Sequence, residues 1–134
     1  MISYLEGKIL EKNEKFFTIN VNGVGYKVFS HIGVLEKIPQ AGRDAIVWAH
    51  LYVREDALDL YGFLDRDELE FFEVLISISG IGPKSALGIL EVAPVASLKQ
   101  AIVSEDETFF TEVSGVGKKT AQRLILELKN KLSK

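Results

Sequence analysis

The stretch Ile78-Ser79-Gly80-Ile81-Gly82-Pro83-Lys84-Ser85-Ala86 recurs 35 residues later as Val113-Ser114-Gly115-Val116-Gly117-Lys118-Lys119-Thr120-Ala121. A serine, two glycines around a β-branched residue, a lysine, a hydroxyl residue and an alanine repeat in the same register. A segment whose apolar residues have helical spacing precedes each copy, and a second such segment follows it. Glycine permits the tight backbone turns that join such helices. We therefore predict two helical hairpins related by an internal repeat.

Each predicted hairpin has the composition of a small anion site. Glycines let a ligand approach the bare backbone, and the amides that begin the following helix carry a partial positive charge. Lys84 and Lys119 stand two residues after the second glycine, where they would add a full charge. Phosphate is a common anion at such sites. Two sites on paired helices would hold both backbones of a duplex without reading its sequence.

Two other phosphate-binding motifs do not fit the repeat. A P-loop needs a glycine at position 112 and a serine or threonine directly after its lysine, but the chain has Glu112, and Lys119 follows Lys118. A dinucleotide fingerprint needs a third glycine and a preceding strand. Neither copy has a glycine at the third position, and the sequence predicts no strand before either copy. A tight helix–helix turn without any ligand remains the structural alternative.

The repeat lies in a half of the chain that predicts helices throughout. From Asp65 onward, apolar residues recur at helical spacing. Pro94 is expected to open a short helix, and the helices are expected to span about 8–15 residues. The predicted apolar stripes are Leu69, Phe72, Leu75 and Ile76; Val95, Leu98 and Ile102; and Ala121, Leu124, Ile125, Leu128 and Leu132.

The first 63 residues predict strands instead. Phe17, Ile19 and Val21 alternate with their neighbours, as in a strand, and Asn22-Gly23 predicts a tight hairpin turn. Residues 45–53 form a nearly continuous apolar run, which favours a strand covered on both faces, by a core and by another subunit. Five short strands in this length close most easily as a small barrel.

Composition and charge narrow the class of protein. Apolar residues make up 47% and charged residues 26% of the chain, and it has no cysteine and two histidines. This excludes a disulfide framework, a thiolate zinc site and a multi-histidine metal site. The net charge is −3, but residues 114–134 hold six basic residues and one acidic residue. Such a basic segment favours an anionic partner, although cations also suit a helix C-terminus.

The sequence also lacks the usual membrane signals. No apolar run reaches about 18 residues, and Met1 to Glu6 lack the layout of a signal peptide. We expect a soluble, intracellular protein.

The paired hairpins resemble a tandem helix-hairpin-helix, and the whole chain resembles the RuvA family of bacterial Holliday-junction branch-migration proteins. Besides the hairpins, the resemblance is carried in family order by Asn22-Gly23-Val24-Gly25-Tyr26, Val53-Arg54-Glu55-Asp56-Ala57 and Leu60-Tyr61-Gly62-Phe63. It implies an α+β protein with an OB-like β-barrel over residues 1–64 and a tandem helix-hairpin-helix over residues 65–134. It also implies a non-catalytic DNA-binding subunit without cofactor or metal.

The resemblance further implies the partners. A homotetramer, as one or two copies per junction, would bind the four arms of junction DNA for recombination and repair in the bacterial cytoplasm. The RuvB ATPase motor and the RuvC resolvase would join the full complex. In the family a third helical domain contacts RuvB. This sequence stops at Lys134, as a fragment or as a form that lacks that domain, so the resemblance implies junction binding and leaves RuvB contact open.

The predicted DNA contacts follow from the motif positions. One backbone of an arm would be held by Gly80, Ile81, Gly82 and Lys84, and the other by Gly115, Val116, Gly117, Lys118 and Lys119. Arg123, one turn beyond Lys119, would add a phosphate contact, and Arg54 would touch a strand near the crossover.

Glu55 and Asp56 are expected at an exposed hairpin tip between two strands. In the family the matching pair forms an acidic pin at the centre of the tetramer. A carboxylate about 4 Å from a phosphate is opposed by about 4 kcal/mol at an effective dielectric near 20, so the pin would keep backbones away from the crossover. An ordinary polar turn is the alternative; a two-metal nuclease site would need further converging carboxylates.

Three other interpretations stay open on the sequence. Helix-hairpin-helix motifs also occur in base-excision glycosylases, which need a base pocket with a catalytic Asp or Lys. A protein scaffold would use the hairpins only as turns. Trp48 and Tyr52 would either stack bases, as in OB barrels, or pack in a core or subunit contact, and His50 is expected to be a packed histidine.

Overall fold

The computed structural model describes residues 1–113 and 115–132, so Ser114 of the repeat lies outside the described residues. The chain divides into two compact units, Met1–Leu69 and Glu70–Lys134. The first contains a closed five-stranded barrel, and the second is built from helices. The α+β class and the order of barrel and helical hairpins are confirmed. The boundary between residues 64 and 65 stays a prediction.

The barrel strands are β1 (Tyr4–Lys12), β2 (Phe16–Val21), β3 (Val24–Phe29), β4 (Asp44–Arg54) and β5 (Ala57–Phe63). Their order around the barrel is β1-β2-β3-β5-β4, and β4 pairs with β1 to close it. β3 and β5 run parallel, whereas the other neighbours are antiparallel. Alternate side chains point inward, and the fully buried ones include Ile9, Phe17, Ile19, Val28 and Val47.

The turn between β2 and β3 is formed by the predicted Asn-Gly pair. Asn22 has φ 52° and Gly23 has φ 91°, the left-handed conformation that a two-residue hairpin turn of this kind requires. The Asn20 side-chain oxygen accepts a hydrogen bond from the Gly23 amide at 2.8 Å. The predicted hairpin is therefore confirmed.

The two faces of β4 differ in burial. Ala45, Val47 and Ala49 are buried in the barrel, but Ile46 on the other face is 48% exposed. Trp48 is partly covered by the Tyr4 ring, whose centroid lies 5.2 Å away, and by the Arg66 guanidinium at 5.7 Å. Within one chain, β4 is fully covered on one face only, and coverage by another subunit stays a prediction.

A short helix interrupts the strands, in a region where the sequence predicts strands only. α1 (Ile32–Lys37) begins at His31, whose Nδ1 accepts a hydrogen bond from the Gly33 amide at 3.2 Å. His31 Nε2 lies 3.1 Å from Glu68 Oε2. At the other end, Lys12 Nζ donates to the carbonyl oxygen of Ile38 at 2.6 Å. Six residues are too few to show a helical period in the sequence.

The helices are α2 (Arg66–Ile76), α3 (Pro83–Val92), α4 (Val95–Val103), α5 (Thr108–Thr111) and α6 (Lys118–Leu132). Most residues of the predicted stripes are buried, including Leu69, Phe72, Leu75, Leu98, Ile102, Ala121, Leu124, Ile125 and Leu128. Phe71 is also buried, outside the predicted stripe. α5 has four residues, fewer than predicted.

Within the described ranges, no single helix is long and apolar enough to cross a membrane. α3 and α4 pass that test of length and composition only when taken together, and they meet at a bend of 94°.

Gly62 lies inside the barrel at a point where a side chain does not fit. A Cβ there would lie 2.5 Å from Val28 Cγ1 and 2.6 Å from Val47 Cγ1. Both valines are fully buried in an interior that has little room to relax. We expect Gly62→Ala to lower the free energy of unfolding by about 1–3 kcal/mol, as measured by urea denaturation.

Gly25→Ala is the matched control for this prediction. Gly25 is exposed, and its added Cβ would lie at an ordinary contact distance of 3.4 Å from Thr18 Cγ2. Equal stability losses in the two variants would show that crowding inside the barrel is not the cause.

Candidate nucleic-acid interface

The repeated sequence folds into a repeated backbone. The first hairpin joins α2 to α3, and the second joins α5 to α6. The first glycine of each copy is left-handed, with φ 89° at Gly80 and φ 86° at Gly115. An equivalent turn hydrogen bond follows at 3.0 Å in both copies, from Ile81 to Ile78 and from Val116 to Val113. The two hairpins therefore share the same geometry at these described positions.

The second glycine of each hairpin lies at the start of a helix and is open to a ligand. Gly82 precedes α3 and Gly117 precedes α6, and their carbonyl oxygens accept from the Ala86 and Ala121 amides at 3.0 and 2.8 Å. A Cβ at Gly82 or Gly117 would meet no atom within 4 Å among the described residues. Packing within the described part of the chain thus does not explain why these positions are glycine.

Ile81 and Val116 have a structural part in the hairpins. Their side chains are buried, and their amides donate to the carbonyl oxygens of Ile78 and Val113, two residues beyond the ends of α2 and α5. Both side chains and both amides are therefore engaged within their own hairpins and hold the turns next to the glycines. That Ile81 and Val116 also hold a DNA backbone stays a prediction.

The lysines of the two hairpins differ in their surroundings. Lys84 and Lys119 are exposed and form no ion pair within the described part of the chain. Lys118 Nζ lies 3.9 Å from Glu107 Oε1, but its side chain is 76% exposed. An exposed pair at this distance contributes little, so Lys118 can exchange Glu107 for a phosphate.

Arg123 makes a contact that the sequence does not predict. Its Nη2 donates a hydrogen bond to the carbonyl oxygen of Ser79 at 2.8 Å, and the same atom would lie 2.9 Å from a Cβ at Gly80. The Arg123 side chain therefore extends from α6 to the first hairpin and bonds its backbone.

Glu55 and Asp56 form the turn between β4 and β5, as predicted. The flanking residues Arg54 and Ala57 are paired across the hairpin, and both acidic side chains are exposed. Arg54 is exposed too, with its guanidinium 5.9 Å from the centroid of the Tyr52 ring. The tip thus presents two carboxylates and one guanidinium to solvent.

A row of aromatic rings runs along the outer barrel surface behind this tip. The His50 and Tyr52 ring centroids are 6.5 Å apart, and those of Tyr52 and Tyr61 are 6.2 Å apart. All three rings are half-buried. Burial raises the pKa of the Tyr61 hydroxyl, and the nearby Asp59 carboxylate raises it further. The three rings therefore form one partly covered cluster, and base stacking by Tyr52 stays a prediction.

The described residues contain no group of three or more His, Cys, Asp or Glu side chains placed to hold a metal ion.

Two family models match the chain. "RuvA N terminal domain" matches residues 1–62, and "SAM-like Helix-hairpin-helix tandem" matches residues 72–130. The first match covers the barrel strands up to Gly62, and the second covers both glycine turns.

Similar curated proteins carry the name "Holliday junction branch migration complex subunit RuvA". The one from Acetivibrio thermocellus is 42% identical over this whole chain, which covers 66% of that protein. The one from Clostridium perfringens is 42% identical over 98% of this chain and 66% of its own length. For Clostridium botulinum the values are 41%, 98% and 67%. The chain spans about two thirds of the length of these relatives.

Proposed function

This chain belongs to the RuvA family, and we propose that it binds four-way DNA junctions by their shape and without regard to sequence. The observation that carries the proposal is the pair of hairpins with one geometry, each with an open glycine before a helix and an exposed lysine two residues later. Helix N-termini with bare backbone bind phosphate. Phosphate contacts give affinity without base readout.

The contacts in this proposal are divided between the two hairpins. Gly80, Gly82 and Lys84 hold one backbone of a duplex arm, while Gly115, Gly117, Lys118 and Lys119 hold the other. Lys84 and Lys119, which are exposed and form no ion pair among the described residues, supply most of the electrostatic attraction. Arg54 contacts a strand near the crossover, beside the carboxylates of Glu55 and Asp56.

The proposal extends to the assembly. Four copies form a homotetramer that holds one junction face, the Glu55–Asp56 turns form the acidic pin, and a second tetramer can cover the other face. The chain performs no catalytic step itself; RuvB supplies ATP hydrolysis and RuvC resolves the junction, in the cytoplasm of a bacterium. The relatives are named as a subunit of a branch migration complex, which supports such partners.

Titration of synthetic DNAs tests the proposal directly. We expect a four-way junction to bind about tenfold or more tightly than a linear duplex with the same arm sequence, because several arms are held at once. A second junction of unrelated sequence should bind equally well, and native mass spectrometry should give a mass of four or eight chains per junction. Equal affinity for linear DNA, or a strong sequence preference, would overturn the proposal.

Gly82→Ser separates a ligand site from a simple turn. Gly82 has φ −92° and ψ 178°, a conformation open to any residue, and serine is a preferred residue before a helix. We expect the melting temperature to stay the same or rise. Junction affinity should fall about fivefold, because the side chain occupies the space through which phosphate approaches the backbone.

The matched control is Gly25→Ser, on the exposed barrel surface. Gly25 is preferred to Gly23, whose φ of 91° would strain a serine. Unchanged junction affinity in a well-folded Gly82→Ser variant would show that the first hairpin only turns the chain.

A further inference from the structure

The two hairpins are linked by a contact across the repeat. Arg123 lies on α6, the helix that the second hairpin opens, and it donates to the Ser79 carbonyl oxygen in the first hairpin. Ser79 directly precedes the left-handed Gly80. The contact joins residues 44 positions apart, so it links the second copy of the repeat to the first.

The repeat places a matching contact on the other side. Gly88 on α3 is the position equivalent to Arg123, again 35 residues earlier. A Cβ at Gly88 would lie 2.9 Å from Val113 Cγ1, at the start of the second hairpin. Gly88 and Arg123 are thus equivalent positions that both contact the other hairpin. At Gly88 the backbone of α3 lies close to Val113, and at Arg123 the guanidinium of α6 bonds Ser79.

We propose that Arg123 is a positioning residue that sets the spacing between the two phosphate sites. The inference rests on the proposed function and deepens it, because a duplex arm presents its two backbones at a fixed separation. The guanidinium bonds the backbone immediately before Gly80, so removal of that bond frees the first hairpin to shift against α6. Arg123 thus acts through the hairpins, in contrast with the direct phosphate contact that the sequence predicts.

The chemistry of arginine fits this part. Its planar guanidinium has five N–H donors in a rigid fork, so one can bond the Ser79 carbonyl oxygen while the others stay hydrated. A carbonyl acceptor with a charged donor gives a stronger hydrogen bond than a neutral pair. Lysine carries the same charge as a compact point on a flexible stem, so Arg123→Lys keeps the charge and loses the rigid geometry.

A distance measurement without DNA tests the proposal. The chain has no cysteine, so Lys84→Cys and Lys119→Cys introduce one pair of spin labels per chain, one at the start of each hairpin's helix. Dilution with an excess of unlabelled chain keeps distances between the chains of a tetramer out of the measurement. We expect electron–electron double resonance to give one narrow distance distribution, which becomes broader or shifted when Arg123→Gln is added. Arg123→Lys should give an intermediate distribution. Lys118→Gln, which also removes one charge from α6, should leave the distribution unchanged.

Binding supplies the second readout, measured on chains that keep Lys84 and Lys119. We expect Arg123→Gln to weaken junction binding about fivefold, with an unchanged melting temperature. An unaltered distance distribution in Arg123→Gln would overturn the positioning proposal. If, in addition, the salt dependence of junction binding became shallower, Arg123 would instead contact a phosphate directly. Failure of the parent chain to bind a junction would overturn the proposed function instead, while the distance result would still stand.

Discussion

Replacing Lys84 and Lys119 together by alanine is expected to weaken junction binding about a hundredfold at physiological salt. Each lysine that neutralises one phosphate displaces condensed counterions, and the logarithm of the binding constant then falls with the logarithm of the salt concentration by about 0.9 per neutralised phosphate. The pair stands at equivalent positions of the two hairpins, exposed and without an ion pair among the described residues. Both sides of the proposed duplex site lose their full charge at once.

The salt slope distinguishes this effect from unfolding. We expect it to decrease by about two per bound chain, one for each phosphate that the variant leaves without a lysine, and by the same amount on junctions of unrelated sequence. Lys99→Ala with Lys131→Ala is the matched control, since it removes two exposed lysines from α4 and α6 away from the hairpins. If the control weakened binding equally, general charge attraction rather than the hairpins would explain the affinity.

Lys118 illustrates why the structure refines this experiment. The sequence matches Lys119 with Lys84 across the repeat, and it assigns Lys118 to the same DNA backbone as Lys119. In the structure, Lys118 faces Glu107 at 3.9 Å, whereas the equivalent of Lys119 in the first hairpin is Lys84. Pairing Lys84 with Lys119 therefore tests both copies of the site, and pairing Lys118 with Lys119 would test only the second.

The sequence predicts those parts of the molecule that depend on local backbone chemistry. Asn22-Gly23 determines its turn through left-handed φ values, and the two glycine hairpins determine theirs in the same way. α1 escapes prediction because its first turn is capped by His31, which faces Glu68 37 residues away. No periodicity in a six-residue segment reveals such a contact.

The candidate site shows the same limit. The glycines and lysines are predicted from their spacing, and their exposure follows from the local turn. The sequence assigns Arg123 to phosphate because it lies one turn beyond Lys119, yet its partner, Ser79, belongs to the other copy of the repeat. It assigns Ile81 and Val116 to DNA because they lie between glycines, yet tertiary packing buries them. Helical spacing cannot report contacts between separate elements.

Replacing Glu55 by glutamine and Asp56 by asparagine is expected to keep or tighten junction binding, by up to about tenfold. A carboxylate about 4 Å from a phosphate costs about 1 kcal/mol in water and about 4 kcal/mol at an effective dielectric near 20, and the amides remove this repulsion with little change in shape. Both side chains are exposed, and neither residue has a positive φ. The turn should therefore fold as before, with stability changed by less than about 0.5 kcal/mol.

The geometry of the bound junction is the decisive readout. In a tetramer the acidic turns of four chains would surround the crossover, so their repulsion favours arms that spread into an open square. Fluorescence energy transfer between labelled arms should report an open junction on the parent chain and a less open one on the amide variant. Glu11→Gln with Glu14→Gln removes two carboxylates from the exposed end of β1 and the turn after it, and it should change neither affinity nor geometry. Because repulsion can only oppose binding, a loss of affinity confined to the Glu55 and Asp56 variant would mean that these carboxylates make favourable contacts, and the acidic pin would have to be abandoned.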